Sequence, residues 1–171
     1  MYRRLILKTN KYTHFISLGY FCSVASELER IGLRDSSSPF DWCISDLEGV
    51  KNLIENNFEG FLDYENMYQH TDNLAHYINM RYHISFYHDF NQYDSLKKQL
   101  PGVKKKYKRR IERFYQNIKE PTLFIRYISD EDGTSKELKW IEKNYDDLLK
   151  LLQSFNNKNN IIYYPHKQTS N

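Results

Sequence analysis

The chain has 171 residues, 40% of them hydrophobic, and a formal net charge of +3, which suits one domain spanning residues 1–171 with its own core and is short for two. Its 15 Tyr and 10 Phe raise the aromatic fraction to 16%, so large buried rings can build that core although the mean hydropathy is only -0.79. No run reaches the roughly 18 apolar residues of a membrane span, and MYRRLILKTN holds too short an apolar stretch for a signal peptide, so a cytoplasmic protein without a membrane span is the default reading.

The first readable element is a short β-prone run, Phe15 to Leu18, followed by Gly19 as a tight turn and a helix from Ser23 to Ile31. Val24, Ala25, Leu28 and Ile31 share one face of that helix, and Gly32 offers a stop. A second helix is expected from Ser45 as N-cap, with Glu48 completing a capping box and Leu47, Val50, Leu53, Ile54 and Phe58 at helical spacing. Gly60 to Ala75 lacks clean periodicity and reads as a loop with room for one short helix. Within Tyr77 to Phe90, RYHISFYHDF alternates in the manner of a central or near-central strand.

After Pro101 and Gly102 an amphipathic helix carries Val103, Tyr107, Ile111, Phe114 and Ile118 on one stripe, and Pro121 closes it. TLFIRYI, Thr122 to Ile128, has the composition of a buried strand, and Ser129 to Gly133 forms an acidic loop behind it. A helix from Lys136 to Phe155 and a strand from Asn160 to Tyr164 complete the series. Alternating strands and helices predict a three-layer α/β domain with a mainly parallel sheet flanked by helices, in which sites form beyond the carboxyl ends of the strands.

That rule draws attention to Cys22, beside a helix N-terminus whose unpaired N–H groups and positive dipole end favour a thiolate. A thiol there is expected to titrate below its free value of about 8.5. The bland alternative is a buried packing cysteine, which is also the reading for Cys43. A base could be His88, at a strand end, or His166, after the last strand. Asp41 in SSSPFDW either caps a turn or enters the pocket to orient a histidine. Backbone N–H groups from Gly19 to Ser23 could hold an oxyanion. Arg126, a charge late in a buried strand, could bind substrate together with Asp130, or simply pair with Asp130, Glu131 or Asp132.

The six histidines and two cysteines show no ligand spacing, so neither metal nor cofactor is expected. The basic run KKKYKRRIER, Lys104 to Arg113, lies opposite the apolar stripe of its helix and reads as a solvated face, against a nucleic-acid partner.

SLGYFCSVASELERIGLRDSSSPFDW, NLIENNFEGFL, YHDF and a basic helix leading into LFIRY together resemble the bacterial and viral family catalogued as "putative papain-like cysteine peptidases", DUF1796. The resemblance covers most of the chain and implies Cys22 as nucleophile and His88 as base. It brings a papain-like α+β fold as the alternative to the α/β reading, whose helix and strand alternation is closer to flavodoxin-like hydrolases of the SGNH and GSCFA esterase group. Under either fold the expected activity is that of a thiol-dependent hydrolase or acyltransferase on peptide or acyl-ester substrates. The competing expectation is a noncatalytic module that holds phosphate or carboxylate at the same turn with Arg126.

Overall fold

The computed structural model describes residues 11–128 and 136–165. Its elements run β1 (His14–Ser17), α1 (Ser23–Arg30), β2 (Cys43–Ser45), α2 (Leu47–Glu55), a 3-10 turn (Tyr64–Asn66), β3 (Met67–Gln69), β4 (Tyr77–Asn79), β5 (Ile84–Phe86), α3 (Leu96–Asn117), β6 (Thr122–Ile128), α4 (Lys136–Gln153) and β7 (Asn160–Pro165). They build two sheets, a parallel one of order β1-β6-β7 and an antiparallel one of order β2-β5-β4-β3.

The middle strand of the parallel sheet, β6, explains how that half is layered. Successive side chains of a strand point to opposite faces, and TLFIRYI is covered on both, with half-buried Leu123, Ile125 and Tyr127 on one and buried Thr122, Phe124, Arg126 and Ile128 on the other. Leu123, Ile125 and Tyr127 pack with Phe15, Val24, Leu28 and Leu33, which places α1 on one face. Phe124 and Ile128 join the main core on the other. That core takes Tyr107 and Phe114 from α3, Leu148 and Leu152 from α4, Val50, Leu53 and Ile54 from α2, and Ile84 and Phe86 from β5. Both sheets therefore bury side chains in one cluster.

The fold is a mixed α/β arrangement. Its parallel half agrees with the α/β expectation, while the antiparallel half is of the kind the α+β alternative called for. Of the segment RYHISFYHDF only Ile84–Phe86 is strand, and this β5 is an interior strand of the antiparallel sheet, shorter than expected because a turn precedes it. Asn79, fully buried, accepts a hydrogen bond from the Tyr82 N–H at 2.9 Å and donates to the Phe61 carbonyl at 2.5 Å, closing a turn in which His83 adopts φ +52°. The chain reverses there, so β4 and β5 pair antiparallel, Tyr77 opposite Phe86.

Three boundaries also differ from the pattern reading. The N-cap of α2 is Asp46, whose carboxylate accepts from Gly49 N–H at 2.6 Å, one residue after the expected Ser45. The long basic helix begins at Leu96, so Pro101 lies inside it; Pro101 lacks the N–H for the Lys97 carbonyl, but both residues are exposed and water can serve that carbonyl. The presumed loop from Gly60 contains the 3-10 turn and β3.

Candidate functional site

The turn after β1 is held in a left-handed path by two consecutive residues, Gly19 at φ +82° and Tyr20 at φ +73°. Gly19 is required twice over, since a Cβ there would stand 2.6 Å from Ser45 Oγ and 3.2 Å from the Phe40 carbonyl. Tyr20 carries the strain of a non-glycine residue in this region. It is held by its N–H donating to Ser45 Oγ at 3.2 Å, by stacking on Tyr127 at 5.6 Å, and by the Arg126 guanidinium 5.6 Å from its ring centre. The path then throws Phe21 outward, 49% exposed, and delivers Cys22 as the half-buried N-cap of α1.

The N–H groups of this turn divide into two sets. Gly19 donates to Ser17 Oγ at 3.1 Å and Tyr20 to Ser45 Oγ, so neither is free for a ligand. Those of Phe21, Cys22 and Ser23 have no acceptor among the described residues. Gly19 thus serves by shape, and the oxyanion-binding capacity expected of Gly19 to Ser23 is confined to its last three residues.

Arg126 underlies the turn and does not reach solvent. All five of its N–H donors are spent: Nε and Nη2 on Glu137 at 2.7 and 2.6 Å, Nη1 on the Leu18 carbonyl at 2.8 Å and Ser45 Oγ at 3.0 Å, Nη2 also on the Ser45 carbonyl at 2.6 Å. It ties β6 to the end of β1, to β2 and to α4, and its acidic partner is Glu137. The substrate contact expected of Arg126 is corrected accordingly: a fully satisfied, fully buried guanidinium has nothing left to offer a ligand. Asp130, Glu131, Asp132 and His166 lie outside the described residues.

Cys22 and His88 line the same cleft, of about 280 Å³. Phe21 and Cys22 come from the turn, Trp42, Cys43 and Ile44 from β2 and its approach, Tyr87 and His88 from the bend behind β5. Pairing of Cys43 with Phe86 brings the two chain segments side by side, and the exposed His88 ring meets the Trp42 indole edge-on at 6.3 Å. Ser23 faces a different groove, between α1 and β7.

Asp41, beside Trp42 in the chain, is buried and makes no direct hydrogen bond to an imidazole among the described residues. Its Oδ2 accepts from Arg34 Nε at 3.0 Å, Arg34 Nη2 at 2.8 Å and the Ser38 N–H at 2.9 Å. Burial pushes its carboxyl above the ordinary range, against the pull of Ser38 and Arg34. Arg34 in turn stands 5.6 Å from the centre of the Trp42 ring, so Asp41 touches the cleft only through Arg34 and Trp42. Asp89, beside His88 in the chain, has a buried carboxylate, which accepts from Lys106 Nζ and from Tyr107 Oη at 2.9 Å. It pins the His88 bend to α3.

The two thiols differ. Burial, and the charges of Asp89 and Asp41, push the Cys43 thiol up to about 12, and its Sγ sits 3.5 Å from the Phe40 carbonyl. It is a packing group, inert at neutral pH. The residues that pattern reading missed are the rings: Phe21, Trp42 and Tyr87 wall the cleft. Their one available signal was the placement of Phe21 and Trp42 in the same motifs as Cys22 and Asp41. Among the described residues no group of three or more His, Cys, Asp or Glu side chains is placed to hold a metal ion, and no helix is long and apolar enough to cross a membrane.

Residues 13–167 match the family described as "Putative papain-like cysteine peptidase (DUF1796)". Over 172 aligned positions the chain is 30% identical to "Uncharacterized protein R408" of Acanthamoeba polyphaga mimivirus, covering 89% of this chain and 75% of that protein. No solved structure matches significantly.

Proposed function

Because the chain belongs to this family of papain-like cysteine peptidases by description, we propose that it is a thiol-dependent hydrolase or acyltransferase, with Cys22 as nucleophile and His88 as general base. The observation that carries this reading is that Cys22 and His88, 66 residues apart in sequence, line one cleft together with Phe21, and the N–H groups of Phe21 and Cys22 are unspent among the described residues.

In the proposed cycle the imidazole takes the Cys22 proton and the thiolate attacks the carbonyl carbon of a peptide or acyl ester. The carbonyl π electrons move to oxygen, where the N–H groups of Phe21 and Cys22 receive the charge. Collapse expels the amine or alcohol, which leaves with the proton held by His88. A water, or a second amine or alcohol, then gives its proton to His88, attacks the thioester and releases Cys22. Asp41 acts at a distance: it fixes Arg34, which steadies the Trp42 indole on which His88 rests. The anion-binding alternative is weakened by Arg126, the cation it required, being wholly engaged with Glu137 and backbone.

The test is alkylation by iodoacetamide followed by peptide mass analysis. Cys22 is expected to react at least tenfold faster than Cys43 between pH 6 and 8, and the advantage is expected to shrink in His88→Gln. Equal rates at the two thiols, or a Cys22 rate indifferent to His88, would reject the dyad. Hydrolysis of activated acyl esters that persists undiminished in Cys22→Ala would reject the nucleophile.

A further inference from the structure

We infer that the substrate group seated beside Cys22 is an uncharged, compact apolar one, an aromatic side chain above all; this rests on the thiol-acyl reading of the site. The walls carry the argument. Phe21 and Tyr87 hold their rings 49% and 43% exposed at the mouth of the cleft, and the half-buried Trp42 faces them with Ile44. Rings kept partly in water at the rim of a concave site are surface that a ligand can cover.

No Lys, Arg, Asp or Glu side chain lines the cleft, and the charges packed closest behind it are engaged elsewhere, Arg110 over the Tyr107 ring at 5.2 Å. Arg126 is held by Glu137 at 2.6 Å, Asp41 by Arg34 at 2.8 Å, and Asp89 by Lys106. Apart from the Cys22–His88 pair itself, a carboxylate or ammonium entering the cleft would lose its water and meet no opposite charge in the lining, whichever its sign. The volume narrows the class further. About 280 Å³ lies at the small end of ligand cavities, room to enclose one ring and its flanking amide but not a long acyl chain.

The wall is also built in advance. Tyr87 stacks on His76 at 3.9 Å with 22° between planes, and His76 stacks on His70 at 5.0 Å, so one ring of the cleft is backed by two imidazoles across the strand ends. At Tyr87, little side-chain freedom remains for a ligand to remove.

The chain has two tryptophans, Trp42 and Trp140, so Trp140→Phe leaves Trp42 as the reporter in the cleft. Its fluorescence would be titrated with the N-acetyl amides of phenylalanine, aspartate and lysine, in that background and with Cys22→Ala added. Saturation-transfer NMR on the natural chain gives the same comparison without either substitution. The phenylalanine amide is expected to bind at least tenfold more tightly than the charged amides, and to lose most of that advantage in Tyr87→Ser, a change at an exposed position. Equal affinity for the three, a preference for either charge, or indifference to Tyr87→Ser would overturn the inference. Aromatic binding that holds in Cys22→Ala while Cys22 shows no enhanced alkylation would sink the thiol reading and leave the apolar subsite standing. Cys22-dependent turnover that favours charged residues would do the reverse.

Discussion

Gly19 and Arg126 set the position of Cys22, and neither touches the cleft. Replacing Gly19 by Ala would impose a side chain on φ +82° and drive its Cβ against Ser45 Oγ, the oxygen that already accepts from Tyr20 and Arg126. The backbone penalty and the overpacking together are expected to cost about 2–4 kcal/mol, read as a shift in urea midpoint with little change in slope; a loss below about 0.5 kcal/mol would mean that the turn relaxes freely. Arg126 tests a different quantity. Arg126→Met leaves the Glu137 carboxylate, 14% exposed, without its cation and strips the Leu18 and Ser45 carbonyls of a donor, for an expected loss of about 3–5 kcal/mol. Adding Glu137→Leu removes the stranded charge, so the double variant should be more stable than Arg126→Met alone. If the two losses simply add, the pair is not coupled and the tie between β6 and α4 is not electrostatic.

Between elements, the Asp89 strut decides how firmly His88 is presented. Asp89→Asn weakens the link to Lys106 and Tyr107, and a lost hydrogen bond to a buried charge is worth about 1.5–3 kcal/mol. Amide exchange should then quicken selectively from Tyr87 to Asn91, while α4 and β7 keep their protection; uniform quickening would show that the strut supports the whole fold and not the bend. This strut also shows what could be read from sequence and what could not. β6 was legible to the residue, because TLFIRYI is an apolar run broken only by Arg126 and bounded by Pro121, and α4 and β7 came within two residues for the same local reasons. The hairpin from Tyr77 to Phe86 was not, because its turn is held by Asn79 reaching back to Phe61, 18 residues away. Ser45 looked like a helix cap until Arg126, 81 residues on, claimed its hydroxyl, and Asp46 did the capping. Cys22 could be placed from its strand-to-helix turn and His88 from its strand end. The rings around them could not, since no periodicity says which exposed aromatic will face a thiol.

For the whole molecule, the shared core makes alkaline pH a global probe. Cys43 is raised from 9.0 to about 12 and Tyr115 from 10.0 to about 12, both chiefly by burial, and burial raises Tyr107 and Tyr163 as well. An acid whose folded value lies above its unfolded one keeps its proton longer in the native state. The unfolded chain therefore ionises first, and stability falls as pH climbs from the unfolded value toward the folded one. Below about pH 9 these groups are neutral in both states and cost nothing. Cys43 begins the loss near 9, a full unit before the tyrosines, and by pH 12 it alone accounts for on the order of 4 kcal/mol, a large share of a typical domain stability of about 5–15 kcal/mol. Thermal melts from pH 7 to 11 should show a plateau, a first decline between 9 and 10, and a steeper one above 10 as the tyrosines join. In Cys43→Ala the baseline drops because a buried sulfur is lost, yet the decline between 9 and 10 should flatten while the one above 10 stays. If that first decline is the same in both proteins, Cys43 is not the group that couples the cleft floor to the stability of the fold.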